Sequence, residues 1–120
     1  MWLCLNNAFL SIVSTPNESA TLTVRARRKG DIEAVFGENV EVVTLPHRDY
    51  QFRAVLARGV VSDAIATAMF HIDYGNFKDS VKDAPLHDAY FKVWHVMADL
   101  QEIPPYGSEP RKGFRKHPVR

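Results

Sequence analysis

Seven consecutive residues, Thr21-Leu22-Thr23-Val24-Arg25-Ala26-Arg27, alternate strictly between polar and apolar. Successive side chains of an extended strand point to opposite faces. Leu22, Val24 and Ala26 must therefore cover a core, while Thr21, Thr23, Arg25 and Arg27 face outward. A parallel strand is buried on both faces and reads as a continuous apolar run, so this pattern calls for an antiparallel sheet with one open face.

The segments around it extend the reading. Trp2 to Val13 is apolar with β-branched residues near its end, and the turn-forming Thr15-Pro16-Asn17-Glu18-Ser19 joins it to the alternating strand as a hairpin. Asp31, after Lys29-Gly30, is expected to cap a short helix to Phe36 that buries Ile32, Val35 and Phe36. Val40 to Val43 reads as a third strand. Tyr50 to Leu56 reads as a fourth, with Tyr50, Phe52, Ala54 and Leu56 on one face and Gln51 and Arg53 on the other. Ser62 is expected to cap a helix from Asp63 to about Ile72. The fold class is α+β: a four-stranded antiparallel sheet of ββα-ββα order, its helices packed on one face.

The remainder adds a long C-terminal helix. Tyr74-Gly75-Asn76 is a turn and Phe77 to Lys82 a helical turn; Asp83-Ala84-Pro85 then opens the helix, since proline is tolerated in a first turn. His87, Tyr90, Phe91, Trp94, Met97, Ala98 and Gln101 recur at three-four spacing, and the aromatic stripe from Tyr90 to Met97 is expected to lie in the core. Ile103-Pro104-Pro105 ends the helix. The domain spans residues 1–102, and residues 103–120 form a basic, Pro/Gly-rich tail expected to be mobile.

Composition narrows the function. A chain of 120 residues supports one core, and 46% apolar with 24% charged residues is ordinary for a folded domain. The net charge of +1 provides no global field for nucleic acid or membrane. The tail holds five Lys and Arg against Glu109, a local +4, which leaves 10 basic and 13 acidic residues elsewhere, about −3. Cys4 stands alone, so no internal disulfide forms, and no apolar run reaches membrane-spanning length. A soluble cytoplasmic protein without membrane partner or cofactor is expected.

Four groups of residues carry candidate chemistry. Arg25, Arg27 and Arg53, with Arg28, Lys29 and Arg58 at strand ends, would project from adjacent strands; with Arg111, Lys112, Arg115 and Lys116 of the tail they could contact a polyanion. No glycine-rich phosphate loop or zinc spacing accompanies them. The turn residues Tyr74, Asn76, Phe77 and Lys78 are the polar-aromatic type that anchors protein interfaces. His71, Asp73 and His87, together with the pair His95 and Asp99, could hold a cation or a proton, but two ligands on one helix face do not make a site. Cys4 in an apolar strand is a poor nucleophile, because burial disfavours the thiolate.

The set Phe9-Leu10-Ser11-Ile12-Val13, Leu22 to Arg27, Asp49-Tyr50-Gln51-Phe52-Arg53, Ile72 to Val81, His87-Asp88-Ala89-Tyr90 and Val93-Trp94-His95-Val96-Met97 resembles a family of small uncharacterised bacterial and phage proteins. The resemblance covers residues 1–101 and transfers no functional residue. It implies a phage or mobile-element protein that binds and inhibits a host protein or ribonucleoprotein complex, in the manner of an anti-CRISPR inhibitor. The expectation is a non-enzymatic binding protein. The alternatives are a direct nucleic-acid binder using the arginine face and tail, and an enzyme built on the His/Asp residues.

Overall fold

The computed structural model describes residues 1–116; positions 117–120 of the tail lie outside it. The sheet is antiparallel and has five strands, β1 (Trp2–Cys4), β2 (Phe9–Thr15), β3 (Glu18–Ala26), β4 (Val43–Thr44) and β5 (Phe52–Ala57), in the spatial order β1-β2-β3-β5-β4. Four helices accompany it: α1 (Asp31–Phe36), α2 (Arg58–Phe70), α3 (Phe77–Ser80) and α4 (Ala84–Ala98).

The expected four strands become five because the first apolar segment is itself a hairpin. Asn6-Asn7 reverses the chain, Leu5 N–H bonds to Ala8 O at 2.9 Å, and Trp2 comes to lie opposite Ser11. The order is therefore βββα-ββα, not two matching halves. At the β2–β3 turn, Pro16 supplies the preset φ and Asn17 takes the left-handed conformation, φ 60°, that tight turns require. The strand expected at Val40–Val43 shrinks to Val43–Thr44, paired to Arg53 and Phe52.

One face of the sheet holds the core. Leu10, Ile12, Val24, Ala26 and Ala54 pack against Ile32 of α1 and Val61 of α2, with Val35, Phe36 and Ile65 closing the periphery. Asp31 does not cap α1. Gly30, at φ 96°, holds the cap position, and the Asp31 carboxylate instead accepts the Phe9 N–H at 3.2 Å and the Arg28 guanidinium, fastening α1 to β2. Helix α2 begins at Arg58, ahead of the expected Ser62 cap. Arg58 Nε reaches Ser19 O at 3.0 Å, and the Ser62 hydroxyl donates back to Gly59 O.

Helix α4 seats by its first half only. Asp83 caps it through the Leu86 N–H, Leu86 and Tyr90 pack on Phe9, Phe77 and Val81, and the Tyr90 hydroxyl reaches both Leu5 O and Ala8 O at 2.9 Å. Beyond Tyr90 the helix leaves the body. Phe91, Val93, Val96 and Met97 are exposed and Trp94 half-buried, so the stripe expected in the core is mostly surface. The helix also stops at Ala98, with Asp99 as its cap residue. The radius of gyration is 17.2 Å, against about 13–14 Å for a compact chain of this length, so the molecule is extended.

Candidate partner-docking face

The helices do not all pack on one face: the first half of α4 covers the Phe9 corner of the second face, and the side chains of the rest of that face follow from strand register. Trp2, Ser11, Arg25, Arg53 and Val43 form one row across all five strands; Val13, Thr23 and Val55 form the next. Arg25 donates through Nη2 to Ser11 Oγ at 2.7 Å. Arg53 reaches Tyr50 O and Asp49 Oδ1, both at 3.3 Å, and Arg27 Nη1 reaches Asp49 O at 2.8 Å.

These bonds draw the loop before β5 over one end of the face. Tyr50 does not join the core side as its alternation with Phe52 implied. It precedes the strand, is 4% exposed, and its ring sits beneath the guanidinium carbons of Arg25 and Arg27, 4.5 and 4.2 Å from its centroid. Planar cations stack on a tyrosine face by attraction to the ring quadrupole. Arg25 and Arg53 are thus half-buried structural groups, while Arg27 remains exposed.

The rest of the face is partly open: Ser11 and Thr23 are buried at its floor, while apolar side chains stand out around them. Trp2 is 73% exposed, its ring edge-on to Phe9 at 6.2 Å, and Val55 is 58% exposed across Thr23 from Val13. Thr15 and Thr23 hydroxyls meet at 3.0 Å between them. The platform is therefore a rigid sheet with an aromatic anchor at one edge, valines in the middle and three arginines along one end, opposed there by the single carboxylate of Asp49.

The other expected residues serve a different group, around α4. Asn76 caps α3 by accepting the Asp79 N–H at 3.2 Å. Phe77 packs between Tyr74 and Tyr90, with ring centroids at 5.8 and 5.3 Å, and Lys78 Nζ lies 5.0 Å from the Trp94 ring. Arg111 donates to Gln101 O and Ala98 O, capping the end of α4, and Lys116 Nζ is 3.9 Å from Glu102. Lys112 and Arg115 are exposed. The turn and tail residues are accordingly not brought onto the arginine row.

The acid-base candidates disperse as well. His71 Nδ1 lies 2.9 Å from Thr67 O of its own helix, and His87 sits beside Asp88 at 3.9 Å. No group of three or more His, Cys, Asp or Glu side chains comes together among the described residues in a way that could hold a metal ion. Cys4, expected to be buried, is exposed; it edges a pocket of about 260 Å³ with Phe9, Arg28, Leu86 and Tyr90, whose desolvation still pushes the thiol pKa up. Burial likewise pushes the Tyr90 phenol up. Arg28 closes the pocket, paired to Asp31 at 3.2 Å and Asp83 at 2.9 Å. The Asp83 carboxyl is held below its usual range by the Leu86 N–H and then by Arg28.

Sequence reasoning missed Trp2, Val13 and Val55 as surface residues. The signal was present: Val55 has the same strand parity as Arg53, and an outward arginine implies an outward valine two residues on. No helix among the described residues is long and apolar enough to cross a membrane. No protein-family model, no curated protein and no solved structure matches this chain.

Proposed function

We propose that this chain is a non-enzymatic binding protein that docks a partner protein or ribonucleoprotein on its open sheet face. The observation that carries this reading is the pair of adjoining rows on which Trp2 and Val55 stand exposed near Arg25 and Arg53. Tryptophan and arginine at the centre of a contact contribute most when desolvated, and a pre-ordered sheet loses little entropy on binding. The inhibitory role, on a host protein or ribonucleoprotein complex, rests on the family resemblance of residues 1–101.

Three guanidiniums against one local carboxylate keep nucleic-acid contact as a second reading, weakened because Arg25 and Arg53 already hold Tyr50 and Asp49. The test is a comparison of wild-type protein with Val55→Glu, which sets a charge in the middle of the face without touching the core. Stoichiometric capture of one host complex by the wild type, reduced at least about tenfold in affinity by the variant, supports protein docking. Gel shifts on single- and double-stranded DNA and RNA that fade steeply with salt would favour nucleic acid instead. Catalytic turnover of a substrate by the pure protein, or capture indifferent to Val55→Glu, would sink the proposal.

A further inference from the structure

Helix α4 carries a heptad pattern that the protomer uses only in part. With Leu86, Val93 and Leu100 at a, the d positions are Ala89 and Val96, the e positions Tyr90 and Met97, and the g positions Lys92 and Asp99. Leu86 and Tyr90 are each 5% exposed, packed within the protomer. The seam then continues into solvent: Val93 is 47% exposed, Val96 67%, Met97 55% and Leu100 71%. Asp99 and Leu100 lie beyond the last residue of α4 in a tighter turn, their amides bonding three residues back to Val96 O at 3.2 Å and Met97 O at 3.0 Å, so the chain runs on past the helix end as far as Leu100.

The other side of the same helix has a neighbour. Phe91, Trp94 and Ala98 line a groove with Pro104, Pro105 and Tyr106, and Arg111 ties the returning segment to the carbonyls of Ala98 and Gln101. A helix apolar on both sides is normally buried on both. Here one side meets its own chain, while the seam only borders it, at Cys4 and Phe9 beside Ala89 and Val93 and at the tail beside Leu100, and leaves Val96 and Met97 facing solvent.

We infer that the occupant is a second copy of this chain, its α4 packed antiparallel along the seam about a twofold axis. Charge selects both the partner and the orientation. In an antiparallel pair the g positions face each other, which sets Lys92 against Asp99 of the second copy, twice by symmetry. In a parallel pair g faces e, and Lys92 would meet Met97. Antiparallel layering also puts Val93 opposite Val96 in two central layers and the small Ala89 opposite Leu100, so large side chains meet small ones. Lys92 is exposed, and the Asp99 side chain is 73% exposed, its nearest cation being Arg111 at 3.6 Å.

A seam shorter than two heptads falls at the small end of stable interfaces, so the dissociation constant belongs in the micromolar range, on the order of 1–100 μM. The seam adjoins the docking face where Ala89 and Val93 border Cys4, Phe9 and Arg27, but Val96 and Val55 lie outside that pocket, so Val96→Glu and Val55→Glu let the two readings fail separately.

Sedimentation equilibrium of the full chain under reducing conditions, from about 1 to 300 μM, tests it against that range. The wild type should pass from monomer to dimer. Val96→Glu, at an exposed position that leaves folding intact by circular dichroism, should raise the dissociation constant at least about tenfold. Lys92→Asp should weaken the dimer, and Lys92→Asp with Asp99→Lys together should restore it. A monomer throughout the range overturns the inference. So does a dimer unaffected by Val96→Glu, which would place the contact elsewhere. A dimer weakened by Val96→Glu but indifferent to Lys92→Asp overturns the antiparallel orientation.

Discussion

Replacing Tyr90 by phenylalanine isolates one atom on which the seating of α4 depends. The hydroxyl sits 2.9 Å from both Leu5 O and Ala8 O, the carbonyls that flank the β1–β2 reversal at Asn6-Asn7. It has one hydrogen, shared between two acceptors. Ala8 O also accepts the Leu5 N–H, so its loss is partial, whereas Leu5 O loses the partner that α4 brings to it. Leaving such a part-buried carbonyl unpaired costs about 1–2 kcal/mol, so Tyr90→Phe should destabilise by that amount. Tyr90→Ala also empties the ring's place among Phe77, Leu86 and Phe9, and should cost about 3–5 kcal/mol.

Urea unfolding followed by circular dichroism measures both changes. Single-tryptophan proteins add location, because Trp2 reports the sheet edge and Trp94 reports α4. In Tyr90→Phe the Trp94 transition should move to lower urea than the Trp2 transition, as α4 loosens before the sheet melts. pH supplies a further check. Burial raises the Tyr90 phenol above its ordinary value near 10, so the unfolded chain loses that proton first. Stability from Tyr90 is therefore complete below about pH 10 and falls as pH rises toward the folded value. Tyr90→Phe should lose that part of the alkaline decline. A variant with wild-type stability and an unchanged alkaline limb would refute the assignment of the hydroxyl as the clamp.

Further outcomes follow from the same geometry. Asp31→Ala leaves the Phe9 N–H and half of Arg28 without a partner, and should cost about 2–4 kcal/mol by chemical denaturation, several times the effect of Glu38→Ala at an exposed site. Asp83 is held low by the Leu86 N–H and by Arg28, so its contribution is present above the ordinary carboxylate range and is lost as pH falls through its lowered value; Asp83→Asn should flatten that acid limb. Arg111→Ala should speed amide exchange in residues 99–111 while leaving sheet amides unchanged, because it removes the bonds to Ala98 O and Gln101 O.

Much of the sheet was legible because alternation is a local property. The parity of Leu22, Val24 and Ala26 against Thr23 and Arg25 holds in the register of β3, although Thr23 on the second face is itself buried. The extra strand was hidden because Asn6-Asn7 interrupts a run that is apolar on both sides, and β1 has only three residues to show a period. Helix α2 starts at Arg58 through a long-range bond to Ser19 O, which no local capping rule anticipates. The stripe on α4 marks the deeper limit. Spacing showed that Tyr90, Trp94 and Met97 share an apolar helix, but not whether the apolar side meets the same chain or another. Tyr50 was misplaced for a related reason, since cation stacking by Arg25 and Arg27 overrides strand parity two residues before the strand.

The most direct test of the docking face uses Trp2 itself. In a Trp94→Phe protein, Trp2 is the sole tryptophan, 73% exposed at the edge of the face and open to collisional quenching by acrylamide. Once the captured host complex is added at saturation, the account predicts that Trp2 becomes shielded and quenching falls severalfold. Trp2 fluorescence quenched equally in the free and bound states would contradict it.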